Sequence, residues 1–229
     1  ISSNGILTGL SCGTSTISAQ TIDGLTISKT VIIVPADDNG FLWGEDFESC
    51  SISDNHEQYL DSDIWQIQNA GSYWVSVYDD PRNTTGKALH ISNSDSTDIS
   101  KSAVQYQSKP FSCEGLTAFS VDINRGENDT FQIQLGPQTS GKCQIQLRIK
   151  AGGGICYAYN TSSGWSWSGD VGTMSANQWH NLCIITSSGD TNYWALYLDG
   201  EKLTEQPSYF GNNDRSVSDI RIYVAQSSD

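Results

Sequence analysis

Positive charge is what this chain has least of: 12 Lys and Arg stand against 26 Asp and Glu, a formal net charge of −14 over 229 residues. That balance repels nucleic acid and anionic lipid, and no basic stripe offsets it locally. Long apolar runs are also missing, and none approaches the ~20 residues that a membrane-spanning helix needs. No nucleic-acid partner and no membrane are therefore expected. The start at Ile1 has neither the basic flank nor the apolar run of a signal peptide, so the chain reads as an internal piece of a longer secreted protein. No two of the six cysteines, Cys12, Cys50, Cys113, Cys143, Cys156 and Cys183, have C-x-x-C spacing, and His56, His90 and His180 do not cluster with them. Zinc is not expected on that pattern. Nor does any stretch sustain a 3.6-residue apolar period, which excludes a helical core.

What is abundant is Gly, Ser, Thr, Asn and aromatic residues, the profile of an extracellular β protein. Period-two apolar positions of strand length recur at Ala118–Ile123, Phe131–Leu135, Cys143–Ile149, Ile155–Tyr159, Leu182–Ile185, Trp194–Leu198 and Ile220–Val224. Turn chemistry separates them, including Gly136-Pro137, Gly152-Gly153-Gly154 and Ser188-Gly189-Asp190. The predicted class is all-β: a two-sheet antiparallel β-sandwich of jelly-roll type, closed by its last strand, Ser218–Ala225, beside its first, Asp46–Ser49. The chain divides near residue 45. Residues 1–44 hold short apolar strands that could not bury both faces of a sandwich alone. They are expected to pack on the main domain, to remain loosely ordered or to pair with another chain, and the rival reading makes them integral strands of one single sandwich; residues 45–229 form the main sandwich.

Strand parity then sorts the side chains. On Thr130–Leu135 and Cys143–Lys150 the apolar residues are odd-numbered, so Gln132, Gln134, Gln144, Gln146, Arg148 and Lys150 project to the other side. A hairpin through Pro137–Gly141 would set Gln134 near Gln144 and Gln132 near Gln146. A second hairpin around Gly152–Gly154 would bring Cys156 and Ala158 opposite Arg148 and Gln146, with Asn160 near Gln144. Cys143 and Cys156 then point to opposite sides and cannot bond, and the cysteines are read as buried thiols filling apolar space. The result is a floor of amides and one guanidinium with low neighbours. Amides donate and accept, matching vicinal sugar hydroxyls, and Arg adds planar donors for a hydroxyl pair or a carboxylate. Trp165 and Trp167 sit among Gly and Ser, two positions apart in what reads as an extended loop, and would form a platform for pyranose rings. Tyr157 and Tyr159 share the parity of Ile155 and are expected in the core.

The phrase from Met174 to Leu203, MSANQWHNLCIITSSGDTNYWALYLDGEKL, resembles two adjacent strands of laminin-G and concanavalin A-like jelly rolls. The phrases Asp46-Phe47-Glu48-Ser49, Val77-Tyr78-Asp79-Asp80-Pro81 and Gly86-Lys87-Ala88-Leu89 are similar to modules of that type appended to glycan-degrading enzymes. Asn4-Gly5-Ile6-Leu7, Val34-Pro35 and Phe41-Leu42-Trp43 resemble the second half of a small immunoglobulin-like sandwich found in multimodular polysaccharide-degrading bacterial proteins. The resemblance implies Trp65, Trp179 and Trp194 in the core. It also implies a structural calcium near the first strand, for which Asp46, Glu48, Asp79, Asp80 and Asp219 stand in corresponding places and supply the hard oxygens that calcium requires.

Enzymatic alternatives leave weaker traces. A retaining glycosidase needs two carboxylates about 5 Å apart, and no E-x-D-x-E phrase occurs. Gln132-Ile133-Gln134 and Gln146-Leu147-Arg148 resemble alginate-lyase floors, but Gln134 stands where that family has His, and no Y-x-K-x-G-x-Y phrase follows. The expectation is a non-catalytic, secreted carbohydrate-binding module that takes a plant or storage polysaccharide through Gln132, Gln134, Gln144, Gln146, Arg148, Asn160, Trp165 and Trp167. A structural or adhesive cell-surface domain that binds protein, with residues 1–44 as its docking element, is the alternative. A polysaccharide lyase comes third.

Overall fold

The computed structural model of the chain describes residues 13–33, 47, 65–68, 73–79, 86–93, 103–106, 111–112, 115–127, 129–136, 145–188, 193–206, 216–217 and 220–226. Among them strands β1 to β18 and no helix are defined, and the pairings are antiparallel. In chain order the strands are β1 (Gly13–Gln20), β2 (Thr26–Ile33), β3 (Trp65–Gln68), β4 (Tyr73–Asp79), β5 (Lys87–Asn93) and β6 (Ala103–Tyr106). There follow β7 (Phe111–Ser112), β8 (Gly115–Asn124), β9 (Asp129–Leu135), β10 (Ile145–Ile149), β11 (Gly154–Thr161) and β12 (Gly164–Trp167). The last are β13 (Gly172–Thr173), β14 (Trp179–Ser188), β15 (Tyr193–Leu198), β16 (Glu201–Gln206), β17 (Ser216–Val217) and β18 (Ile220–Gln226). Over their described residues the seven predicted strand segments coincide with strands, because each carries the period-two alternation that a pleated sheet with one buried face requires.

The chain forms two compact units, one of Ile1–Leu42, Cys113–Ile123 and Trp179–Ser208, the other of Trp43–Ser112, Asn124–Gln178 and Tyr209–Asp229. In the first, β1 and β2 form a hairpin whose Ile22, Leu25 and Ile27 are exposed. Its second sheet has the order β16-β15-β14-β8. Trp194 to Leu198 are all buried, as are Leu182 to Thr186, so β14 and β15 are covered on both faces. Leu182, Ile184 and Leu196 share one face through their register, while Cys183, Ile185, Ala195 and Tyr197 cluster on the other with Ala118 against them. Asp199-Gly200 turns β15 into β16 with φ of 51° and 79°, the double positive φ of a type I′ hairpin turn that Asp-Gly favours. The Asp199 carboxylate locks the turn: it accepts the Asn181 N–H at 2.9 Å and meets His180 Nδ1 at 2.7 Å.

In the second unit β4 and β5 form a separate hairpin, and an eight-stranded sheet runs β12-β11-β10-β9-β18-β6-β3, with β13 on β11. Phe131, Ile133 and Leu135 of β9 lie opposite Ile149, Leu147 and Ile145 of β10, all buried. Ile220 of β18 continues that apolar face opposite Leu135. β18 lies between β9 and β6, which occupy both its edges over Ile220–Tyr223. The expected closure against Asp46–Ser49 falls outside the described residues, among which that segment supplies only Phe47.

The β10–β11 turn needs glycine for two separate reasons. Gly153 has φ +87°, and a Cβ there would collide with the Met174 carbonyl oxygen and stand 2.9 Å from Arg125 Nη2. Arg125 is the reason the loops are so close. It is buried, its Nε donates to the Met174 carbonyl at 2.9 Å, and Nη1 donates to the Ala151 and Gly126 carbonyls at 2.8 and 3.0 Å. Gly153→Ala is expected to destabilise the protein by about 2–4 kcal/mol, the sum of positive-φ strain and overpacking. Gly152→Ala, where a Cβ meets open space, is expected to be near neutral. Paired urea unfolding curves check both.

Cys156 and Cys183 are buried thiols in no disulfide, as expected; the other four cysteines lie outside the described residues. Burial pushes the Cys183 thiol up from 9.0 to about 11. The unfolded chain therefore loses this proton first as pH rises, so the stability linked to the neutral thiol is complete below pH 9.0 and is lost towards 11. Unfolding free energy measured across that range should fall more steeply for the wild type than for Cys183→Ala, and equal slopes would remove Cys183 as the cause.

Candidate functional site

Antiparallel partners point their side chains to the same side of a sheet, so register decides which residues share a surface. Gln146 lies opposite Gln134, and Arg148 lies opposite Gln132 on β9 and opposite Cys156 on β11. The β10–β11 pairing is the one expected. The β9–β10 register is displaced by two residues from the expected one, which had Gln134 near Gln144 and Gln132 near Gln146. A two-residue displacement preserves parity, so these residues keep their predicted face although their neighbours change. Gln144 lies outside the described residues.

The tryptophans reach this face by a route different from the one expected. Gly164–Trp167 is not a loop but a strand on β11, with Thr161 opposite Gly164, Asn160 opposite Trp165 and Ala158 opposite Trp167. Only Ser162-Ser163 separate the closing pair, a connection short enough to force a hairpin, and Gly164 has φ 139°. The ladder continues past the strand: the Tyr157 N–H donates to Ser168 Oγ at 3.0 Å, and the Ser168 N–H donates to the Tyr157 carbonyl at 2.8 Å. Trp165 and Trp167 consequently lie on the side of Cys156, Ala158 and Arg148, with Asn160 in backbone register beside them.

The two indoles are not a flat platform. Their centroids are 5.8 Å apart with planes at 83°, an edge-to-face pair. Trp167 is half-buried and packs against Ala158, which is 3% exposed, whereas Trp165 is 56% exposed. The small side chain of Ala158 leaves the room that Trp167 fills. Above Trp167 stands the Arg148 guanidinium, its central carbon 4.1 Å from the ring centroid, a cation–π contact.

The same guanidinium meets the amides. The Gln132 side chain has two possible orientations. In one its oxygen accepts from Gln146 Nε2 at 2.9 Å; in the other it accepts from Arg148 Nε at 3.2 Å and Nη2 at 3.1 Å. The second is preferred, because Arg has only donors and would otherwise face an NH2 group. The Gln132 NH2 is then turned to Gln146, whose own oxygen must face it. Arg148 is thus held from two directions, by an indole face and by an amide oxygen. Lys150, one parity step further along, is paired with Asp170 at 2.8 Å.

The structure brings Gln132, Gln134, Gln146, Arg148, Trp165 and Trp167 to one face of the second unit. It adds a residue that sequence reasoning did not select, Arg221 of β18, which lies opposite Gln134. Its signal is present in the alternation Ile220-Arg221-Ile222, but nothing local tells that β18 lies beside β9. Tyr159, expected in the core, is 42% exposed; its partner on the outermost strand is Ser166, too small to cover it. Trp194 is buried as expected and Trp179 is half-buried, while the Trp65 side chain lies outside the described residues. Of the proposed calcium ligands, Asp79 ends β4, exposed and with its backbone opposite Lys87. Asp46, Glu48, Asp80 and Asp219 lie outside the described residues. Among the described residues no three His, Cys, Asp or Glu side chains gather as a metal site, and no helix is long and apolar enough to cross a membrane.

These features define a class: an all-β, antiparallel β-sandwich of the jelly-roll type. No family model and no curated protein sequence matches the chain. Among solved structures it is similar to a sialidase, over 94% of its own length at 15% identity with a TM-score of 0.59. The chain spans 18% of that sialidase's length. It is also similar to a Bacillus licheniformis β-glucanase, at 12% identity over 74% of this chain and 82% of the other with a TM-score of 0.45. A Caenorhabditis elegans galectin matches at 14% identity over 53% of this chain and 81% of the galectin, with a TM-score of 0.39. The sialidase likeness concerns the fold.

Proposed function

We propose that this chain is a non-catalytic carbohydrate-binding domain of a secreted, multimodular protein, with residues 1–44 belonging to a neighbouring immunoglobulin-like element. One observation carries the reading: the exposed indole of Trp165 shares a sheet face with Arg148, Gln132 and Gln146, and the indole of Trp167 links it to the Arg148 guanidinium. A pyranose ring has an apolar C–H face and a polar rim. Trp165 would take the face, at a gain of about 0.5–1.5 kcal/mol beyond area burial, and the amides with Arg148 would take the hydroxyls. Trp167 acts indirectly, by holding Trp165 edge-on and supporting Arg148.

A protein-binding, adhesive role is the second reading, favoured by the exposed Ile22, Leu25 and Ile27 of the β1–β2 hairpin. The readings separate in affinity electrophoresis against a panel of soluble polysaccharides. A glycan should retard the wild type, and the Trp165→Ala/Trp167→Ala variant should lose at least tenfold in affinity, about 1.4 kcal/mol. Retardation by no glycan would transfer the weight to the adhesive role. A lyase role would show itself in the same mixtures as ultraviolet absorbance from an unsaturated uronate product.

Calcium enters this reading as a structural ion only, held by Asp79 together with Asp46, Glu48 and Asp219, and rests on the resemblance of those sequence positions. An ion that binds only the folded state stabilises it by RT ln(1 + L/Kd), L being the free-ion concentration, so the melting temperature should rise by several degrees on adding millimolar calcium to EDTA-treated protein. An unchanged melting temperature would remove calcium from the account.

A further inference from the structure

A floor for neutral sugars needs only amides, hydroxyls and aromatic rings, yet this one holds two guanidinium groups. Arg148 of β10 and Arg221 of β18 project to the same side of the sheet, one opposite Gln132 and the other opposite Gln134. Both are half-buried. No Asp or Glu occupies the positions of β9, β10, β11, β12 or β18 that register places on that side. In a chain where acids outnumber bases 26 to 12, a face that gathers Arg148, Arg221 and Lys150 around one carboxylate, that of Asp170 over Gly154, which pairs with Lys150 at 2.8 Å, departs from the rest of the composition. Withdrawing a guanidinium from water is costly unless an anion or well-placed acceptors meet it.

Resting on the carbohydrate-binding reading above, we propose that the ligand is an acidic glycan, a polymer or oligomer of uronic acids whose carboxylates are taken by Arg148 and Arg221. Arg148 is prepared for this. Trp167 supports its flat face at 4.1 Å and Gln132 engages Nε and Nη2, which leaves the Nη1 edge as a planar donor. A carboxylate is planar with two acceptor oxygens, and the bidentate pair is about twice as strong as neutral hydrogen bonds. The formal charge of −14 opposes a polyanion at long range. Screening confines that repulsion to about 8 Å at physiological ionic strength, and the contact itself is decided by the local pair. Two strand spacings separate β10 from β18, about 10 Å, so the second arginine is within reach only of a ligand that repeats its carboxylate.

Three pairs of polymers test this with the full chain in affinity electrophoresis and calorimetry: galacturonate, alginate and glucuronate polymers, each beside its methyl-esterified form. A sulfated galactan and neutral glucan, xylan and galactan complete the panel. At least one uronate should bind ten times more tightly than its ester. Arg148→Lys, which keeps the charge but not the planar fork, should weaken that uronate tenfold or more while leaving the melting temperature within a few degrees, and Arg221→Lys should weaken the polymer more than a monosaccharide. Equal affinity for acid and ester, binding of neutral glycans alone, or tighter binding of the sulfated galactan would overturn the uronate assignment while leaving a carbohydrate-binding domain in place. Absence of binding to every glycan would end both.

Discussion

The pairing of β9 with β10, Phe131 against Ile149 through Leu135 against Ile145, decides which side of the sheet every residue of the site takes. Five of those six apolar residues are no more than 2% exposed, and each is worth roughly 1.5–3 kcal/mol in burial. A slip by one residue would carry that set to solvent and bring Gln132, Gln134, Gln146 and Arg148 inside without partners. Burial on the odd-numbered side therefore enforces the polar floor on the even-numbered side. β11 inherits the same parity through Cys156 opposite Arg148, and β12 inherits it through Trp167 opposite Ala158.

The face so made depends on differences in side-chain size as much as on polarity. Cys156 and Ala158 are low, and over Ala158 Trp167 lies down with Arg148 above it. That stack orders a long cationic side chain that would otherwise lose rotamer entropy on meeting a ligand. Trp165, edge-on to Trp167 and mostly exposed, is the part of the surface left open. Away from this face, Arg125 performs a different task with the same chemistry. Its donors go to backbone carbonyls of three segments, and they hold the glycine turn from which β11 begins.

Much of this is legible in the residues themselves. Alternation places strands at Phe131–Leu135, Ile155–Tyr159 and Trp194–Leu198, and the odd-even split names the amides and Arg148 as one surface. The Asp199-Gly200 turn is equally visible, because both residues adopt the positive φ that Asp-Gly favours. Three features are not. Gly164-Trp165-Ser166-Trp167 lacks apolar alternation and reads as a loop, while the edge of β11 makes it a strand. Tyr159 shares the parity of a core position but has only Ser166 beside it. Arg221 stands in a correctly placed strand whose neighbours are far away in the chain.

By itself, the sequence determined the class and the faces: an all-β chain, where the strands fall, and which residues within each strand share a side. Side-chain direction alternates with a period of two, a local property that needs no partner. Tertiary structure decided the register of β9 on β10, the insertion of β18 between β9 and β6, the edge-to-face setting of the two indoles and the arrival of Arg221 beside Gln134. Each of these compares alternatives that are locally equivalent, and only long-range hydrogen-bond ladders and packing distinguish them.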